Sequence, residues 1–495
     1  MTHEGSYSRP LGPALVSCAC SKADGRTGGR AVGTGVLLVA VLSAGPSVRL
    51  TAQDSSAVDR GVRIGILYRP GVRPGIVVLT GRAPTLDSVR TIMARDIDYS
   101  DRFELITLPG SDSIRLAAPS PAPGPRPAAG TGSGKTGGGG AAAAGGLNYP
   151  LYQALGADFA VAVTPVGSDS VVVTVHDIGG GAVRREVRSR LPALADPGFR
   201  MAVHRLSDRV LEATLGAPGI AATRVLFVMD GKAYVIDQDG ADRRLVSSTD
   251  HAAMSPAWAA DGRRFSYMEF WQGHGRLFVQ DVASGKRAPV ATTGQALDFT
   301  PAFSPDGKTL AFSRAIEEGT DIYTVNVKDG CCLQRLTVGR FYDNLSPTYS
   351  PDGQRIAFVS TRAGLPQIYV MAADGTDQQL FAPFDYGATG SSNAPEWSPD
   401  GQAVAFHRDV AGTLQVFVLD VRTRAVRQLT SVGRNEDPTW APDSRHMAFV
   451  SDRSGYRQLW IIDLETGRIR PLLQQSGARL PAWSPRLPET APSTP

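Results

Sequence analysis

The sequence has little cysteine: four residues in a chain of 495. Cys18 and Cys20 lie near the N-terminus, and Cys331 and Cys332 are adjacent. That leaves no disulfide framework and no CxxC spacing for zinc. It also lacks a charge excess. The 51 basic and 47 acidic residues give a net charge of +4, too weak to argue for a nucleic acid or an anionic membrane surface as partner. Apolar runs are short as well, and none spans a bilayer comfortably. There is no G-x-S-x-G elbow of the kind hydrolases use. What the chain has in quantity is glycine and proline, 54 and 35 residues, on an otherwise ordinary globular composition.

The first 52 residues read as a targeting segment. Arg26 and Arg30 precede the glycine-broken apolar run at 31–48, and the small residue Ala52 follows. Together these make a signal peptide with a long basic region, cleaved near Ala52. An uncleaved anchor is the alternative. The expected mature chain begins near Gln53 and is exported and soluble.

Residues 53–216 read as a small α/β domain. Runs at 62–68 and 74–81 are β-rich. Leu86, Val89, Met93 and Ile97 follow at helical spacing, and 104–108 returns to strand. A short helix from Tyr149 and two valine-rich strands come next. The last helix is expected to start at Asp196-Pro197, to bury Phe199, Val203, Leu206 and Val210, and to stop at Gly216. The segment 119–146 interrupts this domain with Pro, Gly, Ala and Ser, too polar and flexible to offset its chain entropy, and is expected to be disordered. It contains AGTGSGKT, starting at Ala129, which resembles a phosphate loop. A phosphate loop needs a buried strand before it and a helix after it to aim its N–H groups. Here four glycines follow Thr136, so the string is a chance match and no nucleotide is expected.

From about residue 223 the chain repeats. SPAWAADG, TPAFSPDG, SPTYSPDG, APEWSPDG, DPTWAPDS and LPAWSP carry prolines 256, 301, 347, 395, 438 and 481, spaced 45, 46, 48, 43 and 43 residues apart. That is the period of a β-propeller blade. Each proline is expected to start an inner strand, where a missing N–H is tolerated. The aromatic two residues on (Trp258, Phe303, Tyr349, Trp397, Trp440, Trp483) then packs between blades. Pro-Asp-Gly makes the turn that follows, so Asp261, Asp306, Asp352, Asp400 and Asp443 read as turn residues, not a carboxylate ring. Residues 224–229, 232–237 and 243–247 read as a blade without its first strand, which the terminal LPAWSP supplies. The fold class expected is a small N-terminal α/β domain followed by a six-bladed β-propeller (217–486), closed by a C-terminal strand, with a disordered tail at 487–495.

These motifs, with the helix HRLSDRVLEATLG, the junction GAPGIAATRVLFV and the closing LPAWSP, resemble the TolB family of the Tol–Pal system over about residues 58–486. The departures are the Gly/Ala insertion, the segment 61–75 and Ala259-Ala260 in place of SP. The resemblance implies a periplasmic binding protein. One propeller face would bind the peptidoglycan-associated lipoprotein Pal, and the mature N-terminal segment, here Gln53 and Asp54 onward, would contact TolA. The role implied is outer-membrane integrity and constriction in cell division. The face is the one formed by the loops leading into each first strand, at 251–255, 297–300, 341–346, 390–394, 434–437 and 478–480. Its candidate partner-binding residues are His251, Met254, Leu297, Phe299, Thr300, Tyr342, Asn344, Leu345, Asn393, Asn435, Glu436 and Arg479, a mixture suited to an adaptable interface. His251 reads either as a partner contact or as a solvated loop residue. Phe341 and Tyr342 read either as anchors or as packing between blades.

An enzyme is not expected. Nothing after residue 486 forms a hydrolase domain. His251, His274, His407 and His446 do not occupy equivalent blade positions, so neither a metal nor a cofactor is expected. Cys331-Cys332 reads either as a vicinal redox pair or as two loop thiols. A propeller that scaffolds another envelope complex, or a propeller lyase or hydrolase, is the alternative function.

Overall fold

A computed structural model of the chain describes residues 73–81, 83–108, 147–271, 274–290, 292, 296–384 and 390–489. The expected signal peptide, Gln53, Asp54, the β-rich run at 62–68, the insertion at 119–146 and the last six residues of the tail lie outside the described residues.

The described residues of the α/β domain hold one mixed sheet. Its elements are β1 (Gly75–Thr80), α1 (Pro84–Tyr99), β2 (Glu104–Leu105), α2 (Tyr149–Ala154), β3 (Phe159–Val166), β4 (Ser170–Asp177), β5 (Ala182–Arg190) and α3 (Phe199–Leu215). The order is β2-β1-β3-β4-β5; β1 runs parallel to both neighbours and the rest is antiparallel. The apolar stripes of α1 and α3 pack together on one sheet face, with Val89, Met93, Ile97, Val203 and Val210 against Val161 and Val173. β1 can begin beside the loop after α2 only because Gly75 has no side chain: a Cβ there would sit 2.2 Å from the carbonyl oxygen of Gly156.

Two details differ from the sequence reading. α3 begins at Phe199, not Pro197, because the Asp196 carboxylate accepts from Gly198 N at 2.6 Å and holds 196–198 in a turn. It does end at Gly216, at φ 80°. β5 is a strand that the sequence pattern does not announce. Its sequence AVRREVRSR is a mostly exposed edge, where charge blunts unwanted pairing and hides the β signal.

The propeller consists of six four-stranded antiparallel sheets. Blades one to five start with strands Ala252–Trp258, Leu297–Phe303, Asn344–Tyr349, Ser392–Trp397 and Asn435–Trp440. In the sixth, Arg479–Trp483 pairs antiparallel with Arg224–Met229, so the end of the chain supplies the inner strand for the blade that begins the ring. All six repeat aromatics pack between blades. Trp397 lies among Val359 and Val370 of the preceding blade and Val404 and Phe406 of its own; Trp483 lies among Val450 and Ile461 of blade five and Val225 and Phe227 of its own. Such burial stabilises each interface by roughly 1.5–3 kcal/mol per large side chain.

Candidate protein-interaction face

The loops leading into the six first strands gather at one end of the propeller. The backbone there follows one rule. The residue before each repeat proline has positive φ: Ser255 at 50°, Thr300 at 46°, Ser346 at 54°, Ala394 at 51°, Asp437 at 52° and Leu480 at 52°. The pairing with the second strand slips at the same place in every blade. The proline therefore occupies a bulge within the strand rather than its start. The bulge is where a ladder can lose an N–H. A non-glycine residue in this conformation costs of order 1–3 kcal/mol and persists only where neighbours over-determine it.

Those neighbours are visible. Ser313 Oγ, on the second strand of blade two, accepts from Ser346 N of blade three at 3.0 Å and lies 2.6 Å from Thr300 Oγ1. At the equivalent position of blade four, His407 Nδ1 accepts from Asp437 N at 3.1 Å. Accepting requires a free lone pair. Burial, followed by the charge of Arg434, pushes the His407 imidazole down to about 4, so the acceptor form persists. Burial pushes Asp437 up to about 6, helped by Glu436.

Inside the strained ring runs a channel of about 490 Å³, lined by the six repeat prolines, the inner-strand aromatics and Glu396. Glu396 Oε1 accepts from Trp440 N at 2.9 Å and Thr439 Oγ1 at 3.0 Å. Burial pushes its carboxyl up to about 7.

A second recurrent device braces the loops. Arg314, Arg362, Arg408 and Arg453 stand at or just after the second strands. Each lies over an aromatic ring of its own blade: Tyr323 at 5.3 Å, Tyr369 at 4.7 Å, Phe406 at 5.1 Å and Phe449 at 5.1 Å from the ring centroids. Each also bonds the start of the first strand, through Asp298, Asn344, Ser392 and Asn435 respectively. The repeated SR, STR, HR and SDR endings of the second strands are the signal for this device in the sequence.

The same end exposes Phe270, Val338, Phe341, Leu365, Val410, Val432 and Tyr456. Single exposed apolar residues are ordinary, whereas a set collected on one face marks an interaction surface. Phe341 is 98% exposed and held at φ 68°. Beside it, Tyr342 stacks on Arg362 at 5.4 Å.

The sequence-named residues divide by burial. Arg479 is exposed. His251, Leu297, Thr300, Tyr342 and Asn393 are half-buried at the loops. Met254, Phe299 and Leu345 lean on apolar clusters between blades. Glu436 pairs with Arg434 and Arg457. Asn344 and Asn435 are fully buried; their amides donate to Asp321 and to Gln415, bracing the loops from below.

The repeat aspartates are turn residues. Asp306, Asp352 and Asp400 each accept from the serine two before and the backbone N two after. Cys331 and Cys332 are exposed free thiols with Sγ atoms 3.0 Å apart. Among the described residues, two sets could offer ligand atoms to a metal, Asp96-His204-Asp239 and Asp101-His446-Asp463. Both lie by the opposite end of the propeller, where the α/β domain docks. The sequence reading did not anticipate either, since each combines residues more than 100 positions apart.

The sequence profile of the TolB beta propeller domain matches residues 211–385 and 385–489, more than half of the chain. The Tol-Pal system proteins TolB of Bordetella pertussis and Bordetella bronchiseptica are each 30% identical to it over 183 residues, 36% of this chain and 41% of theirs. The matched part thus spans under half the length of those relatives. The crystal structure of TolB from Acinetobacter baumannii superposes with a TM-score of 0.67 at 22% identity, covering 84% of this chain and 98% of that one. That likeness is one of fold.

Proposed function

Because the chain belongs to the TolB β-propeller family, we propose that it is a non-catalytic interaction component of a Tol–Pal cell-envelope system, exported to the periplasm. The strand-start face binds a peptidoglycan-associated lipoprotein, and the segment beginning near Gln53 and Asp54 contacts TolA. The face supplies what an interface needs: a rigid, strained ring, a set of exposed apolar side chains and a polar surround from His251, Asn393, Glu436 and Arg479. Tyr342, Leu297 and Thr300 flank the exposed apolar set and contribute to the contact.

The observation that carries this reading is the exposure of Phe341 on a loop that Arg362 and Asn344 hold in place. A large aromatic ring fully in water, on a braced loop, gains most from a partner. The test is titration calorimetry of the full chain against the purified peptidoglycan-associated lipoprotein of the same source. Binding that is lost when 297–300 and 341–346 are replaced by Gly/Ser, with unchanged circular dichroism, supports both the partner and the face. No binding by the unaltered chain sinks the reading and favours a scaffold for another envelope complex.

A further inference from the structure

Two buried histidines join the α/β domain to the propeller, and they do so reciprocally. His204 belongs to α3. Its Nδ1 lies 2.9 Å from both carboxylate oxygens of Asp96 on α1, in its own domain. Its Nε2 faces Asp237 Oδ2 of the propeller at 3.8 Å. His446 belongs to blade five. Its Nδ1 lies 2.7 Å from Asp443 Oδ2, in its own blade. Its Nε2 faces Asp101 Oδ2, just after α1 in the α/β domain, at 3.4 Å. Each imidazole is thus anchored at home through one nitrogen and presented to a carboxylate of the other domain through the other.

Neither Nε2 has a hydrogen-bond partner, nor does Asp237 Oδ2, although all are buried. A buried polar atom left unpaired is costly. A proton on each imidazole turns both faces into charge-assisted contacts.

The surrounding charges point to the same missing cation. Around His204 stand Asp96 of α1, Asp208 of α3 and Asp237 and Asp239 of the propeller, against Arg95, Arg200 and Arg224. Around His446 stand Asp98, Asp101, Asp443, Asp463 and Glu465, against Arg445 and Arg468. Both sets have more carboxyl groups than guanidinium groups, and the excess is larger around His446. Arg95 and Arg200 already hold Asp239, Arg445 holds Asp463 and Arg468 holds Asp101, so a proton fits these sites better than a metal ion.

We propose that His204 and His446 form a two-point proton latch between the domains, docked when both imidazoles are protonated and loosened as they deprotonate. Burial alone would push both imidazoles down. For His204, Asp96 leads the carboxylates that override it; for His446, Asp101 and Asp443 do. Both end above the ordinary 6.5. A pKa raised in the docked state means that the latch is complete below 6.5. It is lost as pH rises through the raised values.

The test is a pH titration of the full chain labelled at histidine 13Cε1, with signals assigned by His204→Gln and His446→Gln. Protection of amides along the domain boundary, corrected for the intrinsic exchange rate at each pH, is followed in parallel. Both histidines should titrate above 6.5, and boundary protection should fall by up to about tenfold per pH unit for each histidine titrated. Asp237→Asn should lower the midpoint of His204 alone, and Asp101→Asn that of His446 alone, which assigns the signals even where a histidine variant fails to fold. Midpoints at or below 6.5, or boundary protection that ignores the titration, would overturn the latch. So would histidine signals that shift when a chelator is added, since they would report a metal ion instead.

Discussion

The indole Nε1 of Trp483 donates to Thr223 Oγ1 at 2.8 Å, tying the last strand of the ring to the residue before its first. Both side chains are buried. Trp483 is also the apolar filling between blades five and six. Trp483→Ala should therefore cost about 3–5 kcal/mol, the range for emptying a large aromatic site. Thr223→Val removes the indole hydrogen bond and the one that Thr223 Oγ1 donates to the Ile220 carbonyl at 2.6 Å, and should cost about 1–3 kcal/mol because it strands a buried indole N–H and a buried carbonyl. Urea unfolding of both variants measures this. A loss below about 1 kcal/mol for Trp483→Ala would mean that the backbone pairing of the last strand, not its indole, holds the ring closed.

Phe341 makes the opposite prediction, a large effect on binding and none on the fold. Its ring is 98% exposed, so Phe341→Ser should leave stability within about 0.5 kcal/mol. Positive φ at this position makes Phe341→Gly a useful companion, since glycine adopts it without strain. Either change should weaken lipoprotein binding by about 2 kcal/mol or more, as for a hot-spot aromatic. Equal losses of binding and of unfolding free energy would instead assign Phe341 to packing.

The blades were legible because each repeat carries its own local chemistry: a turn that needs Asp and Gly, an aromatic at fixed offset and alternating strands. The α/β domain was legible through the stripes of α1 and α3. What the sequence concealed depends on distance along the chain. Nothing near His446 announces Asp101, and nothing near His204 announces Asp237, because docking rather than spacing brings them together. The strained residues before the prolines were hidden for another reason. Ser, Thr, Ala, Asp and Leu share no conformational preference, so the positive φ is imposed by neighbouring blades. Asn344 and Asn435 look like surface amides in a loop sequence, yet they are fully buried.

Asp208, in the middle of α3, sets the junction into the propeller. Its carboxylate accepts from Ala221 N at 2.8 Å and from Ala222 N at 2.9 Å. Asp208→Ala should cost about 2–4 kcal/mol by orphaning two buried N–H groups. Gly219 is equally constrained, since a Cβ there would lie 2.4 Å from Asp208 Oδ1. Gly219→Ala should thus destabilise the wild-type chain but add little in the Asp208→Ala background. Additive losses in that double-mutant cycle would show that the two positions do not share one contact.

Glu396 gives the channel a pH dependence of known sign. Its carboxyl is pushed up to about 7 by burial, against the bonds from Trp440 and Thr439 that favour the charged form. An acid whose folded pKa lies above its unfolded value binds more protons when folded. It therefore costs nothing at low pH and removes stability as pH rises from about 4.5 to about 7. Glu396→Gln keeps an oxygen for Trp440 N and Thr439 Oγ1 but cannot ionise. The variant should match wild type near pH 4, overtake it through that window and stay more stable at pH 8. Asp208 and Asp437 are also pushed up, to about 7 and about 6, so the wild-type profile alone does not isolate Glu396. The difference between the two urea-midpoint curves does. Parallel curves from pH 4 to 8 would mean that Glu396 is solvated enough in the channel to ionise at its ordinary value, and that the channel is open to bulk water at that depth.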